Sequence, residues 1–254
     1  MNFISYGKER FKDSSWSLTF LLYGFICIFS IIFFAIKIQV RNLILAILGL
    51  IAIPTIFILF ECVFKLKLSS GFVILALFIV IGGMQLGPCY DWYFIFPHFD
   101  DFLHFLSGIL FGLLGFGFVK RFIPDGNFYL GLTGGVIFSL AIATLWELVE
   151  FFGTSFLGID MQEDSLVNSI NSFFLVGSHN NIQNINDIYQ TVIYFGDGNS
   201  YIIDGGYLDL GVYDTLFDLL TCGLGSLLYS AMLLIDKKCH FGLEKVFVPI
   251  PIKM

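Results

Sequence analysis

The sequence predicts an all-α polytopic membrane protein, a bundle of six transmembrane helices with one long extracytoplasmic loop. Of its 254 residues, 57% are hydrophobic and 13% are charged, about half the ~25% that is typical of soluble domains. The apolar residues form six runs, each close to the ~20 residues that cross a bilayer. This composition excludes a disordered chain and most soluble enzymes, and the net charge of −7 disfavours a nucleic-acid partner.

Each predicted span is rich in Ile, Leu and Phe, and the first three carry few polar side chains. The first run is too long for the apolar region of a signal peptide, so we expect it to be retained. The third is interrupted by Gly82-Gly83 and Gly87-Pro88, and an extension to Ile95 stays open. The predicted spans are Trp16–Ile36, Asn42–Phe60, Gly71–Leu86, Phe102–Val119, Phe128–Phe152 and Thr215–Ile235.

The distribution of Lys and Arg predicts the orientation of these spans. Eleven of the 13 basic residues fall on one side, and only Lys37 and Arg41 fall on the other. Basic residues accumulate on the cytoplasmic side of membrane proteins. We therefore expect a single integral-membrane domain over residues 1–254 in the bacterial plasma (inner) membrane, multi-pass, with both termini in the cytoplasm and the lipid bilayer as its environment.

Residues 153–213, between the fifth and sixth spans, form the predicted extracytoplasmic loop or cap. The loop contains seven acidic residues and no Lys or Arg, and it is too long for a simple connection. An acidic helix-start composition precedes Leu166–Leu175, which predicts a short helix on the membrane surface. The Asn-rich segment Asn180–Asn186 is predicted to be irregular.

A β-hairpin is predicted near the end of this loop. Thr191–Phe195 and Tyr201–Ile203 are β-branched and aromatic runs, and they flank the turn sequence Gly196-Asp197-Gly198-Asn199. Such runs around a turn rich in Gly, Asp and Asn are typical of hairpins.

Three short acidic motifs lie at the ends of the last three spans. Their members are three or four residues apart, so each motif presents its side chains on one face of a helix. Span four starts, span five ends and span six starts on the outer side, so all three motifs should lie at one depth. The motifs are Asp100, Asp101 and His104, then Glu147 and Glu150, then Asp214 and Asp218.

These acids predict a bound cation. Carboxylates inside a bilayer are costly, and the three spans contain no Lys or Arg to neutralise them. A metal ion, protons or water must then relieve the repulsion. We expect a divalent ion (Mg, Mn, Fe or Zn), because no thiolate is near. The expected ligands are Asp100, Asp101, His104, Glu147, Glu150 and Asp218, with Asp214 or a non-ligating Glu as general base toward a metal-bound water.

Simpler interpretations stay open. Acidic residues at helix amino termini act as caps, which would account for the aspartates but not for Glu147 and Glu150 at the end of a helix. A single histidine is often a hydrogen-bonded core residue. The glycine pairs Gly108 with Gly112 and Gly131 with Gly135 have the spacing that allows close helix packing in lipid.

The motifs, in this order, resemble the YjdF-like family of largely uncharacterised bacterial inner-membrane proteins. The matching residues are Asp100 and His104, then Glu147 and Glu150 before an aromatic residue, then Asp214 and Asp218. The first motif is more remotely similar to the VanZ-like proteins linked to glycopeptide resistance. The loop is longer than in the family, and Asp209 follows Leu208 where the family has Gly-Asp. The resemblance covers about residues 70–236 and implies a site without an established reaction.

Three functions are compatible with this site. The first is a metal-dependent hydrolase or transferase acting on a lipid or cell-envelope substrate. The second is a small cation- or proton-coupled transporter, which the scarcity of ionisable groups deeper in the spans disfavours. The third is a non-catalytic sensor, resistance factor or assembly partner. The sequence does not decide whether the protein is an enzyme, nor its oligomeric state.

Overall fold

The structure is a computed structural model that describes residues 3–252, and it is mostly helical. Its helices are α1 (Phe3–Arg10), α2 (Ser14–Ile36), α3 (Val40–Phe64), α4 (Ser70–Ile81), α5 (Gly87–Cys89), α6 (Trp92–Ile95), α7 (Phe99–Phe122), α8 (Phe128–Leu157), α9 (Val212–Cys239) and α10 (Leu243–Phe247). Its strands are β1 (Leu66–Lys67), β2 (Ser165–Val167), β3 (Ile170–Ser172), β4 (Gln183–Ile185), β5 (Gln190–Tyr194), β6 (Ser200–Asp204), β7 (Tyr207–Asp209) and β8 (Ile250–Pro251).

Six helical segments are long and apolar enough to cross a membrane, which confirms the predicted number of spans. Most extend beyond the predicted ends, because hydropathy marks only the apolar part of a helix. Helix α7 starts before Phe102 and so includes Asp100 and Asp101 in its first turn. Helix α9 likewise includes Asp214. The six segments are Ser14–Ile36, Val40–Phe64, Ser70–Cys89, Phe99–Phe122, Phe128–Leu157 and Val212–Cys239.

The third span is irregular where the sequence has its glycines. A π-helical turn covers Gly82–Leu86 between α4 and α5. A Cβ atom added at Gly82 would lie 2.6 Å from the end of the Leu103 side chain, so α7 packs closely against the third span here. Asp91 then adopts a left-handed conformation with φ of 60°, which separates α6 from the span. The span therefore does not continue as one helix to Ile95.

The described chain divides into two compact units. The first contains the residues up to Thr144 and those from Asp218 onward, and the second is Leu145–Phe217. Close backbone packing organises the first unit. A Cβ atom at Gly108 would overlap the carbonyl oxygen of Cys222, and one at Gly135 would overlap the carbonyl oxygen of Gly112. The predicted close approach at these glycines is confirmed for α7, α8 and α9.

The second unit contains the β-rich segment, residues 158–211, between α8 and α9. Its strands form three antiparallel ribbons, β2 with β7, β3 with β4, and β5 with β6. The ribbon of β5 and β6 is the predicted hairpin, which is confirmed. At its turn, the Asp197 carboxylate accepts hydrogen bonds from the backbone N–H and from the side-chain amide of Asn199. These two bonds lower the pKa of the Asp197 carboxyl.

The predicted helix over Leu166–Leu175 is wrong. This segment contains the strands β2 and β3 and then a turn. Its Asn and Ser side chains compete for backbone hydrogen bonds and disfavour a helix, while β2 pairs with Tyr207–Asp209. The irregular conformation predicted for Asn180–Asn186 is also only partly correct, because β4 lies inside it and pairs with β3.

Candidate functional site

Two of the acidic motifs meet inside the first unit. Nε2 of His104 on α7 lies 3.7 Å from Oδ2 of Asp100 on the same helix. The same nitrogen lies 3.8 Å from Oδ2 of Asp218 on α9. His104 is 8% exposed and Asp218 is 1% exposed. One imidazole nitrogen therefore faces two carboxylates that belong to different membrane-spanning helices.

Small residues one turn away set this spacing. Gly108 follows His104 by four residues, and Cys222 follows Asp218 by four. Because Gly108 has no side chain, the α7 backbone reaches the carbonyl group of Cys222. A second contact of the same kind joins Gly225 to the carbonyl group of Phe105. The two helices are thus held together next to the site, and His104 and Asp218 lie at one level.

Helix α8 packs on the same junction. The hydroxyl of Ser139 donates a hydrogen bond of 3.1 Å to the carbonyl oxygen of Gly108, and its oxygen lies 3.5 Å from Sγ of Cys222. Ser139 is fully buried. Polar bonds of this kind add to the small-residue packing that joins helices in lipid.

The two distances from Nε2 of His104 to Asp100 and Asp218, 3.7 and 3.8 Å, are longer than N–H···O hydrogen bonds, which end near 3.2 Å. They are compatible with a metal ion between the groups. Two ligand atoms that each lie ~2.1 Å from one ion are at most ~4.2 Å apart, and both spacings fall below this limit. Imidazole and carboxylate are ligands for Zn, Fe and Mn, and carboxylates also suit Mg.

The second unit contains the predicted residues Glu147, Glu150 and Asp214. Glu147 and Glu150 are both buried, and with Ser139 and Ala143 they follow the buried stripe of α8 at intervals of three or four residues. The indole N–H of Trp146 donates to Oε1 of Glu150 at 2.8 Å. The expectation that these two acids form one site with Asp100, His104 and Asp218 stays a prediction.

Asp214 and Asp101 have partners of a different kind. Oδ2 of Asp214 accepts a 3.0 Å hydrogen bond from the backbone N–H of Glu163, which ties the β-rich segment to the start of α9. Oδ2 of Asp101 lies 2.8 Å from Nδ1 of His98, whose side chain is 84% exposed. The predicted roles of Asp214 as general base and of Asp101 as a ligand stay predictions.

Sequence analysis missed a buried polar cluster in the first unit. Glu61 on α3 is 0% exposed, and its carboxylate accepts hydrogen bonds from the guanidinium of Arg10 at 2.8 and 3.0 Å. Tyr6 and the backbone N–H of Leu68 donate to the same carboxylate. Burial and then the Glu61 charge raise the pKa of the Tyr6 phenol. The only signal in the sequence was a single acid placed just beyond the predicted end of span two.

The fold and these contacts define a class, a six-span membrane protein with buried carboxylates and a histidine on its last three spans. A family model described as predicted membrane protein (DUF2238) matches residues 18–238, the greater part of every span. The chain belongs to this family. No curated protein and no solved structure matches it. The more remote VanZ-like resemblance stays a prediction.

Proposed function

We propose that this protein binds one divalent metal ion at the ends of its last three spans and uses it on a lipid or cell-envelope substrate. The observation that carries the proposal is the position of His104, whose Nε2 lies 3.7 Å from Asp100 and 3.8 Å from Asp218. A site of this kind would make the protein a hydrolase or transferase. The YjdF-like name is a plausible one for its family.

The charge balance supports a cation at this position. Asp100 and Asp218 bring two carboxylates to one imidazole, and the apolar runs 102–119, 128–152 and 215–235 contain no Lys or Arg. Buried charges are retained when they are paired or bind a metal. A divalent ion would offset both carboxylates and accept the neutral imidazole as a ligand.

The sequence extends the proposed ligand set. Glu147 and Glu150 are retained in it on the ground of their spacing and of the predicted topology, and Asp101 on the ground of its place beside Asp100. A bound ion would polarise a phosphoryl or carbonyl oxygen or lower the pKa of a water molecule. Asp214 is the proposed general base.

The proposed location is the bacterial plasma membrane with both termini in the cytoplasm. Its support is the asymmetry of Lys and Arg, eleven on one side against Lys37 and Arg41 on the other. The acidic motifs and the β-rich segment would then lie on the periplasmic or outer side, where lipid headgroups and envelope precursors are accessible.

Metal analysis of the purified protein tests the proposal. We expect about one equivalent of a divalent ion in the parent protein after loading and removal of excess metal. His104→Ala and Glu147→Gln should lower this content at least tenfold, since loss of a ligand or its outer partner typically reduces affinity by ~10–100-fold. A parent protein that binds no divalent ion under these conditions would refute the proposal.

The matched control is His240→Ala, which removes an exposed histidine just after the end of α9, so metal content should stay at the parent level. Comparing the metal content of Asp100→Asn with that of Asp101→Asn tests each of the two neighbouring acids as a ligand. Metal content equal to that of the parent in His104→Ala, Glu147→Gln, Asp100→Asn and Asp101→Asn would also contradict the proposal.

A further inference from the structure

The β-rich segment has two hairpin turns of opposite chemical character. The tip of the turn between β5 and β6, Gly196–Asn199, is polar and contains Asp197 and Asn199. The turn after β3 has four consecutive apolar residues, Phe173–Val176, with no charged side chain. The two turns therefore favour different environments, water for the polar one and an apolar medium for the other, although both lie at the surface.

The apolar turn is a well-defined structure with its side chains directed outward. The backbone N–H of Gly177 donates to the carbonyl oxygens of Phe173 and Phe174, both at 3.1 Å. Phe173 packs on the ring of His179, with 5.8 Å between the ring centroids. Phe174 is 91% exposed and Leu175 is 53% exposed. Apolar side chains exposed together in this way mark a site of interaction.

We propose that the turn Phe173–Val176 inserts into the bilayer surface on its own side of the membrane. The β-rich segment continues at both ends into membrane-spanning helices, α8 and α9. Phe174 follows Leu157 by 17 positions, so the turn lies within roughly 60 Å of the end of α8. Because both ends of the segment are joined to membrane-spanning helices, the turn stays near one face of the bilayer.

The size of the turn favours lipid over a second copy of the chain. A stable protein interface buries roughly 1,200–2,000 Å², far more than four side chains offer. Insertion of a tethered turn has no such minimum, and Phe and Leu are the side chains that interfacial segments bury in lipid. Because residues 153–213 contain seven acidic residues and no Lys or Arg, insertion should not require anionic lipid.

Spin-label accessibility of the full-length protein in lipid nanodiscs tests the proposal. The label is placed at Leu175→Cys, which leaves both phenylalanines intact, and the matched control is Asn199→Cys in the polar turn. Cys62 and Cys239 are replaced by alanine, because they are the cysteines that are not buried. We expect the label at position 175 to collide with oxygen and to be shielded from a water-soluble nickel chelate, and the label at position 199 to show the reverse.

Two further measurements complete the test. Phe173→Ser with Phe174→Ser in the Leu175→Cys background should return the label to water, and discs of phosphatidylcholine without anionic lipid should be enough for the shielding at position 175. Nickel access at position 175 equal to that at position 199 would overturn the proposal. Shielding of position 175 from both oxygen and nickel would also overturn it, in favour of a protein partner or a second copy.

Discussion

Two buried polar clusters of the first unit, around Glu61 and around His104, differ in how their charge is balanced. Around Glu61, the guanidinium of Arg10 lies 2.8 and 3.0 Å from the two carboxylate oxygens, and Tyr6 adds a third side-chain donor. Around His104, two carboxylates lie at 3.7 and 3.8 Å from one imidazole nitrogen. The first cluster brings together opposite charges at hydrogen-bond distance, whereas the second brings together acids at longer distances.

This difference separates a structural cluster from a candidate ligand-binding one. A carboxylate that already accepts several charge-assisted hydrogen bonds has little capacity left for an ion. The Arg10 and Glu61 pair joins α1 to α3, and Arg10 also donates to the carbonyl oxygen of Leu68. Carboxylates at 3.7 to 3.8 Å from an imidazole nitrogen leave room for a cation.

The largest expected effect is the loss of Arg10. In Arg10→Met, the buried Glu61 loses its charged partner, and breaking a buried pair costs about 3–5 kcal/mol. We expect a matching fall in the free energy of unfolding, measured by tryptophan fluorescence in detergent. Combining it with Glu61→Gln should cost less than the sum of the two single variants. A single-variant cost below about 1 kcal/mol would contradict a structural role.

A smaller effect is expected from Asp218→Asn, and only when metal is present. A ligand at 100 times its dissociation constant stabilises the folded state by ~2.7 kcal/mol. The parent should gain this stability on addition of the ion, whereas Asp218→Asn should not. Because metal ligands bind deprotonated, the gain should decline as the pH is lowered.

Glu61→Gln is the matched control for this measurement. It removes a buried acid from the same unit but should keep the full metal-dependent gain, although its stability without metal is lower. A gain that disappears in both variants would contradict the distinction between the two clusters.

The smallest expected effect concerns Asp13, at the edge of the Arg10 cluster. Partial burial raises its pKa, but the backbone N–H of Trp16 and the charges of Lys67 and Arg10 outweigh burial, and the pKa is lowered. Asp13 therefore stabilises the fold above its unfolded pKa of ~3.9, and this contribution is lost as the pH falls through the lower folded value.

Because the Asp13 side chain is 35% exposed, its contribution should lie within the ~0.2–1 kcal/mol of surface pairs. At pH values above about 4, Asp13→Asn should have a slightly lower thermal midpoint than the parent. This difference should vanish below the pKa of Asp13 in the folded state. A difference that grows toward acid would show that the sign of this linkage is wrong.

Much of the architecture could be predicted from composition and local pattern. The six spans were visible because a ~20-residue apolar run is favourable in a bilayer whatever its neighbours are. The hairpin of β5 and β6 was visible because its strands are adjacent in sequence around a turn. The pairing of Asp100 with His104 followed from helical spacing alone.

The errors arose where the partner is distant in sequence. The segment Leu166–Leu175 was predicted as a helix, but β2 pairs with β7, about 40 residues later. The Glu61 cluster was missed because its partner Arg10 lies in α1, outside every predicted span. The sequence placed a charge near a span end but contained no local signal for the pairing.

The sequence by itself determined that this is a six-span membrane protein with acids at the ends of its last three spans. Burial in lipid depends on the local run of side chains, so it can be read from the chain. Only the tertiary structure decided that His104 lies near Asp218 on another helix, because that distance depends on Gly108 and Gly225, which bring the α7 and α9 backbones into contact. Close backbone contact at a helix crossing cannot be recognised from the hydropathy of the sequence.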